Sequence, residues 1–316
     1  MTSAAKVALI GAPTDAGAGR RGAAMAPEAL RVAGIKEAIR RLSRQVTDYG
    51  NLAGPGNPEL PRNGDYRHLH EVATWCAVVR ETVANALDAG ELPILMGGDH
   101  SIAIGSIAAV ANHCRRQGRA LTVLWLDAHA DFNIPESSPT GNLHGMPVAV
   151  IAGHGPPELT DLGDQVPMVP ADHIVQIGVR SVDEVEKKLV SDEGLVVYDM
   201  RQIDEQRMRV VMQRALELAS QNDSHLHVSF DVDFLDPGIA PGVPTTVPGG
   251  PTYREAQLCM EMIHDSQLMG SLDIVELNPA FDVRNRTASL VVELVESLFG
   301  EQILARKHQS PNRYPL

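Results

Sequence analysis

The chain has 316 residues, 44% of them hydrophobic and 4% aromatic, and 27 Lys+Arg against 40 Asp+Glu give a formal net charge of −13. That acidity excludes a nucleic-acid binder, which needs a cationic footprint to displace counterions, and it disfavours docking on anionic membranes. The apolar fraction is too ordinary for a disordered chain, and no run of about 18 apolar residues could span a bilayer.

Met1–Pro13 carries one Lys and a short apolar run, too short for a signal peptide, so a cytoplasmic protein is expected. Strands are predicted at Val7–Ile10, Leu92–Leu95, Leu121–Leu126, Ile174–Ile177, Leu195–Tyr198, His225–Phe230 and Leu272–Val275. Several lack polar/apolar alternation, as parallel strands covered on both faces do. Helical patterns lie between them. Glu28–Leu42 follows Pro27, His70–Ala89 stops at Gly90, and Gln202–Ala219, Tyr253–Ser266 and Thr287–Phe299 show similar periodicity. Three long loops rich in Gly and Pro, Asn51–Asp65, Phe132–Met146 and Asp236–Pro251, are each followed by core-type sequence rather than by a new domain. The pattern predicts an α/β fold: one domain over 1–316, a three-layer αβα sandwich with a mainly parallel central sheet. Cys76, Cys114 and Cys259 fit neither a disulfide framework nor a Cys-x-x-Cys knuckle and read as buried thiols.

The chemistry lies at the carboxyl ends of four strands. Leu121–Leu126 runs into Asp127-Ala-His129-Ala-Asp131, and His225–Phe230 runs into Asp231-Val-Asp233. Leu92–Leu95 leads to Gly97-Gly98-Asp99-His100-Ser101, where Ser101 could cap a following helix, and Leu272–Val275 ends at Glu276. In an open parallel sheet these ends share one rim, where ligands bind. Extended backbone would place Asp127, His129 and Asp131 on one face, with Asp231, Asp233 and His100 arriving from two other strands. Four carboxylates and two imidazoles are too many for one tetrahedral zinc. They suit two divalent cations, and the oxygen-rich set favours Mn²⁺. Taken singly, each Asp could be a turn cap and each His a core hydrogen-bonder. Together they would repel one another without a metal.

These residues resemble the arginase/agmatinase (ureohydrolase) family over nearly the whole chain. The motifs are Ile10–Pro13, Gly97–Ser101, Asp127–Asp131, Ser229–Asp233, Leu235–Pro237 and Glu276–Pro279. The resemblance implies two Mn²⁺ per subunit. One would be held by His100, Asp127, Asp131 and Asp231, the other by Asp127, His129, Asp231 and Asp233. The likeness is greatest to the arginase branch, implying hydrolysis of L-arginine to L-ornithine and urea by a metal-bridging hydroxide. Glu276 would hold the guanidinium, Asp131 would act as general acid and base, and His144 would shuttle protons to solvent. The loop after Asp131 resembles the one that receives the amino-acid end of the substrate. Asn133, Ser138, Thr140 and Asn142 lie in it, with Thr140 standing where the family more usually has Ser. Asp183 matches the acid for the α-amino group, although it could equally cap a helix at Glu184–Leu189, and Thr245 matches a pocket-lining hydroxyl. The family further implies a homo-oligomer, trimer or hexamer. The remaining histidines, His308 among them, read as surface or core residues. The alternatives are a non-catalytic metal-binding or scaffolding protein, which would need a broken ligand set, another ureohydrolase, acting on agmatine or a guanidino acid, and a two-metal phosphoesterase. The last would need Arg180 or Arg254 free to meet phosphate.

Overall fold

The computed structural model describes residues 6–58, 66–221 and 224–304; His308 and residues 59–65 of the first long loop lie outside that range. The strands are β1 (Lys6–Ala12), β2 (Val46–Asn51), β3 (Glu91–Gly97), β4 (Leu121–Leu126), β5 (Ile174–Val179), β6 (Val196–Asp199), β7 (His225–Asp231) and β8 (Met269–Val275). All pair in parallel in the order β2-β1-β3-β8-β7-β4-β5-β6. The helices in the first half are α1 (Ala26–Val32), α2 (Ile35–Arg41), α3 (Leu69–Asp88), α4 (Ala103–Arg116), α5 (Pro147–Ile151) and α6 (Pro157–Thr160). They are followed by α7 (Glu184–Glu193), α8 (Met200–Gln206), α9 (Met208–Ser220), α10 (Tyr253–Ser266) and α11 (Arg286–Leu298).

Alternation along each strand divides the core in two. Val7, Leu9, Leu124, Leu126, Val228 and Phe230 face α1, α2 and α8–α11, whereas Ala8, Ile10, Val123 and Trp125 face α3–α6. The three-layer αβα sandwich with a parallel sheet is therefore present, and Cys76, Cys114 and Cys259 are buried free thiols within it.

Three expectations need correction. β2 was not predicted, because Val-Thr-Asp-Tyr-Gly-Asn is an edge strand in which only Val46 is buried. The helix expected over Glu28–Leu42 is two helices, broken where Gly34 takes φ +87°. The Gln202–Ala219 pattern is likewise α8 and α9, separated by Arg207 at φ +71°. An arginine in the left-handed region is set by tertiary context, so the sequence carries no cue to that break.

The strand order positions the site. After β3 the chain jumps to β4, builds outward through β5 and β6, then returns with β7 and β8 to fill the gap between β3 and β4. Four adjacent central strands, β3, β8, β7 and β4, thus end side by side at the rim that carries the motifs.

Candidate metal centre and active site

His100 follows β3 in a short 3-10 turn that Asp99, not Ser101, caps: Asp99 Oδ1 accepts from the Ser101 N–H at 3.0 Å. The turn lies close against the N-terminal loop, and a Cβ on Gly98 would sit 2.2 Å from the Thr14 carbonyl oxygen. Only glycine allows that approach. The His100 ring is buried, stacked on Trp125 with centroids 4.0 Å apart and planes 7° apart. Its Nε2 meets Ser229 Oγ at 2.8 Å, which directs Nδ1 into the site. Three carboxylate oxygens converge on that nitrogen, from Asp127 at 3.2 Å and from Asp131 and Asp231 at 3.1 Å each. His129 forms a second focus, its Nδ1 lying 3.1 Å from Asp233 Oδ2 and 3.5 Å from Asp127 Oδ1.

The segment after β4 departs from the extended path expected for it. His129 makes an isolated parallel bridge with Ser181, and Asp131 turns into the left-handed region at φ +49°. That turn is what sends the Asp131 carboxylate toward His100 while His129 faces Asp233. Glu276 is held in the same region, at φ +59°, by an N–H bond of 2.9 Å to the Gly98 carbonyl. Non-glycine residues in this conformation cost of order 1–3 kcal/mol and concentrate at functional sites.

Electrostatics explain what the cluster needs. Burial and the neighbouring Asp127 charge push the Asp131 carboxyl up to about 6. Burial, Asp233 and Asp127 push Asp231 well above its ordinary range. For His129, burial favours the neutral ring, but Asp233 and Asp127 outweigh it and raise the pKa to about 12. Divalent cations are the counter-charge that fits this set. The buried His100 Nδ1 has no hydrogen-bond partner of its own, and the donors are hard oxygens and imidazoles. Two groups could each hold an ion, His100 with Asp127 and Asp231, and Asp127 with His129 and Asp233. Asp127 belongs to both, as a bridging ligand must. Asp231 appears only in the first, its other oxygen accepting from the Asp233 N–H at 2.7 Å.

Above the cluster opens a cleft of about 210 Å³. His129, Asp131, Asp231, Asp233, His144, Glu276, Asn133, Ser138, Thr140, Asn142, Asp183 and Thr245 all line it, whereas His100 and Asp127 lie beneath. Glu276 Oε1 accepts from the His100 backbone N–H and faces His144 Nδ1, both at 2.9 Å, leaving Oε2 buried without a partner. Burial alone would lower the His144 pKa, but the Glu276 carboxylate beside it holds the ring up at about 9. Asp183 is the N-cap residue of α7 and also lines the cleft, so capping the helix does not withdraw it from the cleft. Thr245 Oγ1 donates to Asp233 Oδ2 at 3.0 Å and so orients that carboxylate.

Sequence reasoning missed Ser181 and Glu186 in the lining. Glu186 is buried and accepts from the backbone N–H of Phe132 and of Asp183, tying the two sides of the cleft together. Its signal was the Asp-x-x-Glu spacing of a capping box at 183–186. The contacts of Trp125 and Ser229 were also missed: Ser229 opens the Ser229–Asp233 motif but only its side-chain bond to His100 shows its place, and Trp125 lies outside the motifs.

The phosphoesterase alternative fails on its cations. Every N–H of the Arg180 guanidinium points at a backbone carbonyl, those of Gly178, Asp233, Phe234, Leu235 and Val247. Arg254 is exposed on α10, paired with Gln257 and Glu261. Neither is free to clamp a phosphate.

Comparison with known proteins agrees with this geometry. The sequence model of the Arginase family matches residues 5–300. An arginase of Bacillus caldovelox is 43% identical over 94% of this chain and 99% of its own length. One of Brucella melitensis biotype 1 is 44% identical over 94% and 97%. The solved structure of the Bacillus caldovelox arginase superposes with a TM-score of 0.90 at 42% identity, covering 95% of this chain and 100% of that one. Entamoeba histolytica arginase, solved in complex with L-ornithine, superposes with a TM-score of 0.86 at 31% identity, covering 94% and 99%. With its fold, its paired His/Asp groups and these relatives in agreement, the chain belongs to the Arginase family.

Proposed function

We propose that the chain hydrolyses the guanidinium group of L-arginine to L-ornithine and urea, with two Mn²⁺ per subunit as cofactor. The observation that carries this reading is Glu276 Oε2, a buried carboxylate oxygen with no partner, at the base of a cleft floored by His129, Asp131, Asp231 and Asp233. His100, Asp127, Asp131 and Asp231 would hold one ion, and Asp127, His129, Asp231 and Asp233 the other. Bound there, the ions would supply the Lewis acidity that makes a water nucleophilic at neutral pH.

The residues of the chain account for the remaining steps. Glu276 Oε1 is already engaged by His100 and His144, so Oε2 is left to accept from a planar guanidinium N–H in a charge-assisted bond. Asp131, on the floor of the cleft, would take a proton and return it to the departing nitrogen. His144, protonated at neutral pH and partly exposed, is suited to carry protons between the cleft and solvent. At the mouth, the Asp183 carboxylate would take the α-ammonium. Asn133, Ser138, Thr140 and Asn142 would take the α-carboxylate with amide and hydroxyl donors.

That amino-acid recognition favours arginine over agmatine, which lacks the carboxylate. The same reading takes 1–316 as one domain of a cytoplasmic homo-oligomer, trimer or hexamer; no helix among the described residues is long and apolar enough to cross a membrane. The deciding experiment is urea release with added Mn²⁺ from L-arginine and from agmatine in parallel. Release from L-arginine is expected. Release from agmatine alone would replace this reading with the other ureohydrolase activity.

A further inference from the structure

Beneath the metal ligands runs a row of side chains to which the motifs assign no role. Ser229 on β7 is in register with Trp125 on β4, and Trp125 with Gln176 on β5. Register partners in a parallel sheet point to the same face. Each member of the row meets the site from below. Ser229 Oγ lies 2.8 Å from His100 Nε2, and Trp125 Nε1 donates to Asp127 Oδ2 at 2.9 Å. Gln176 Nε2 donates to the Ala130 carbonyl at 2.6 Å.

Gln176 is the least expected of the three. It is fully buried in the middle of a strand, and its Oε1 has no hydrogen-bond partner. An unpaired buried acceptor weakens the fold, and a methionine of similar length would fill the same space without one. What the amide supplies is the bond to Ala130, the residue between His129 and Asp131. Those two ligands diverge from this point, His129 toward Asp233 and Asp131 toward His100. The divergence depends on Asp131 staying in the left-handed region, a conformation that its neighbours must enforce.

We propose that Gln176 is a positioning residue for the metal centre. By clamping the Ala130 carbonyl it holds the 127–131 turn in the one conformation that presents His129 and Asp131 to different foci. The proposal rests on the reading that these residues bind divalent cations. Its cost falls on the metal-free fold and its benefit on metal affinity, so the two can be separated by measurement.

The experiment compares the full chain with Gln176→Met, both stripped with a chelator. Mn²⁺ binding is read by equilibrium dialysis with metal analysis, and thermal unfolding is read on the metal-free forms. Gln176→Met is expected to bind Mn²⁺ about 10-fold more weakly, the lower end of the usual effect of residues that orient ligands, with a metal-free Tm close to that of the parent, since removal of the unpaired Oε1 offsets the loss of the donor to the Ala130 carbonyl. Unchanged Mn²⁺ affinity would overturn the proposal. So would weaker affinity accompanied by a lower metal-free Tm, since that is the mark of general damage. Should Gln176→Met fail to fold, Gln176→Asn decides by the same two readouts, because it keeps an amide but withdraws it one methylene from Ala130. Absence of Mn²⁺ binding by the parent chain would overturn the metal reading itself, an outcome distinct from equal binding by parent and variant.

Discussion

Glu276 and His144 form a pair in which one carboxylate oxygen does two jobs and the other none. Oε1 takes both the His144 Nδ1 contact and the His100 backbone N–H at 2.9 Å, while Oε2 stays buried and unpartnered. The pair links the residue that would hold substrate to the one that would move protons. Glu276→Gln keeps the shape and removes the charge. Loss of the charge-assisted bond is expected to lower kcat/KM for L-arginine by about 100-fold. It also removes the largest of the interactions that hold the His144 pKa at about 9, leaving burial opposed only by the Asp99 and Asp131 carboxylates. The imidazole should then titrate below that value, a shift that NMR of the His144 ring in parent and variant would detect. His144→Ala, by contrast, should retain metal and lose only part of the rate.

Asp127 faces both histidine foci, Oδ2 toward His100 and Oδ1 toward His129, whereas Asp233 faces only His129. Asp127→Ala is therefore expected to lose both ions and activity, and Asp233→Ala to keep a larger share of bound Mn²⁺. Metal analysis of the purified variants after dialysis against the same free Mn²⁺ distinguishes them. Equal metal content in the two would contradict a bridging role for Asp127.

Trp125 supports two side chains of the cluster at once, stacking on His100 and donating to Asp127. Trp125→Phe preserves a ring against the imidazole but drops the N–H. The expected result is a folded protein with Mn²⁺ affinity reduced about 10-fold, read by the same dialysis. An unchanged affinity would assign Trp125 to packing alone.

β7 reads His225-Leu-His227-Val-Ser229-Phe-Asp231, a strict polar/apolar alternation, yet both of its faces are buried. The polar face finds partners in the next strand. His225 and His227 both meet Ser271 Oγ, and His227 also meets Asp273. Burial, with smaller repulsion from His227, Arg119 and His113, pushes the His225 pKa down to about 3. Its ordinary value in the unfolded chain is about 6.5. Between those values the unfolded chain takes up a proton that the folded chain refuses. The stability contribution is thus fully present above about pH 6.5 and is lost as pH falls toward 3. Relative to His225→Gln, the parent should lose about 1.4 kcal/mol per pH unit across the middle of that window. Denaturant unfolding of the metal-free forms at several pH values measures the difference. Parallel stability curves for the two proteins would show that His225 is not held neutral.

The layered α/β plan, seven of the eight strands, and the Asp and His residues that gather around His100 and His129 are legible in the amino-acid order, whereas Trp125, Ser229, Ser181 and Glu186 are not. Local patterns suffice for the former, because a buried parallel strand and a chelating D-x-H-x-D segment are each written in a few consecutive residues. The edge strand β2 escaped because five of its six residues remain in contact with solvent and carry no hydrophobic signature. Tertiary structure alone decided that β7 and β8 return between β3 and β4, which brings Asp231 and Glu276 beside His100. It alone decided the left-handed turns at Asp131 and Glu276 that aim those carboxylates, and the row of Ser229, Trp125 and Gln176 beneath them. The reason is physical: strand order and register are set by pairings between residues distant in the chain, and a strained turn persists only where such distant neighbours hold it.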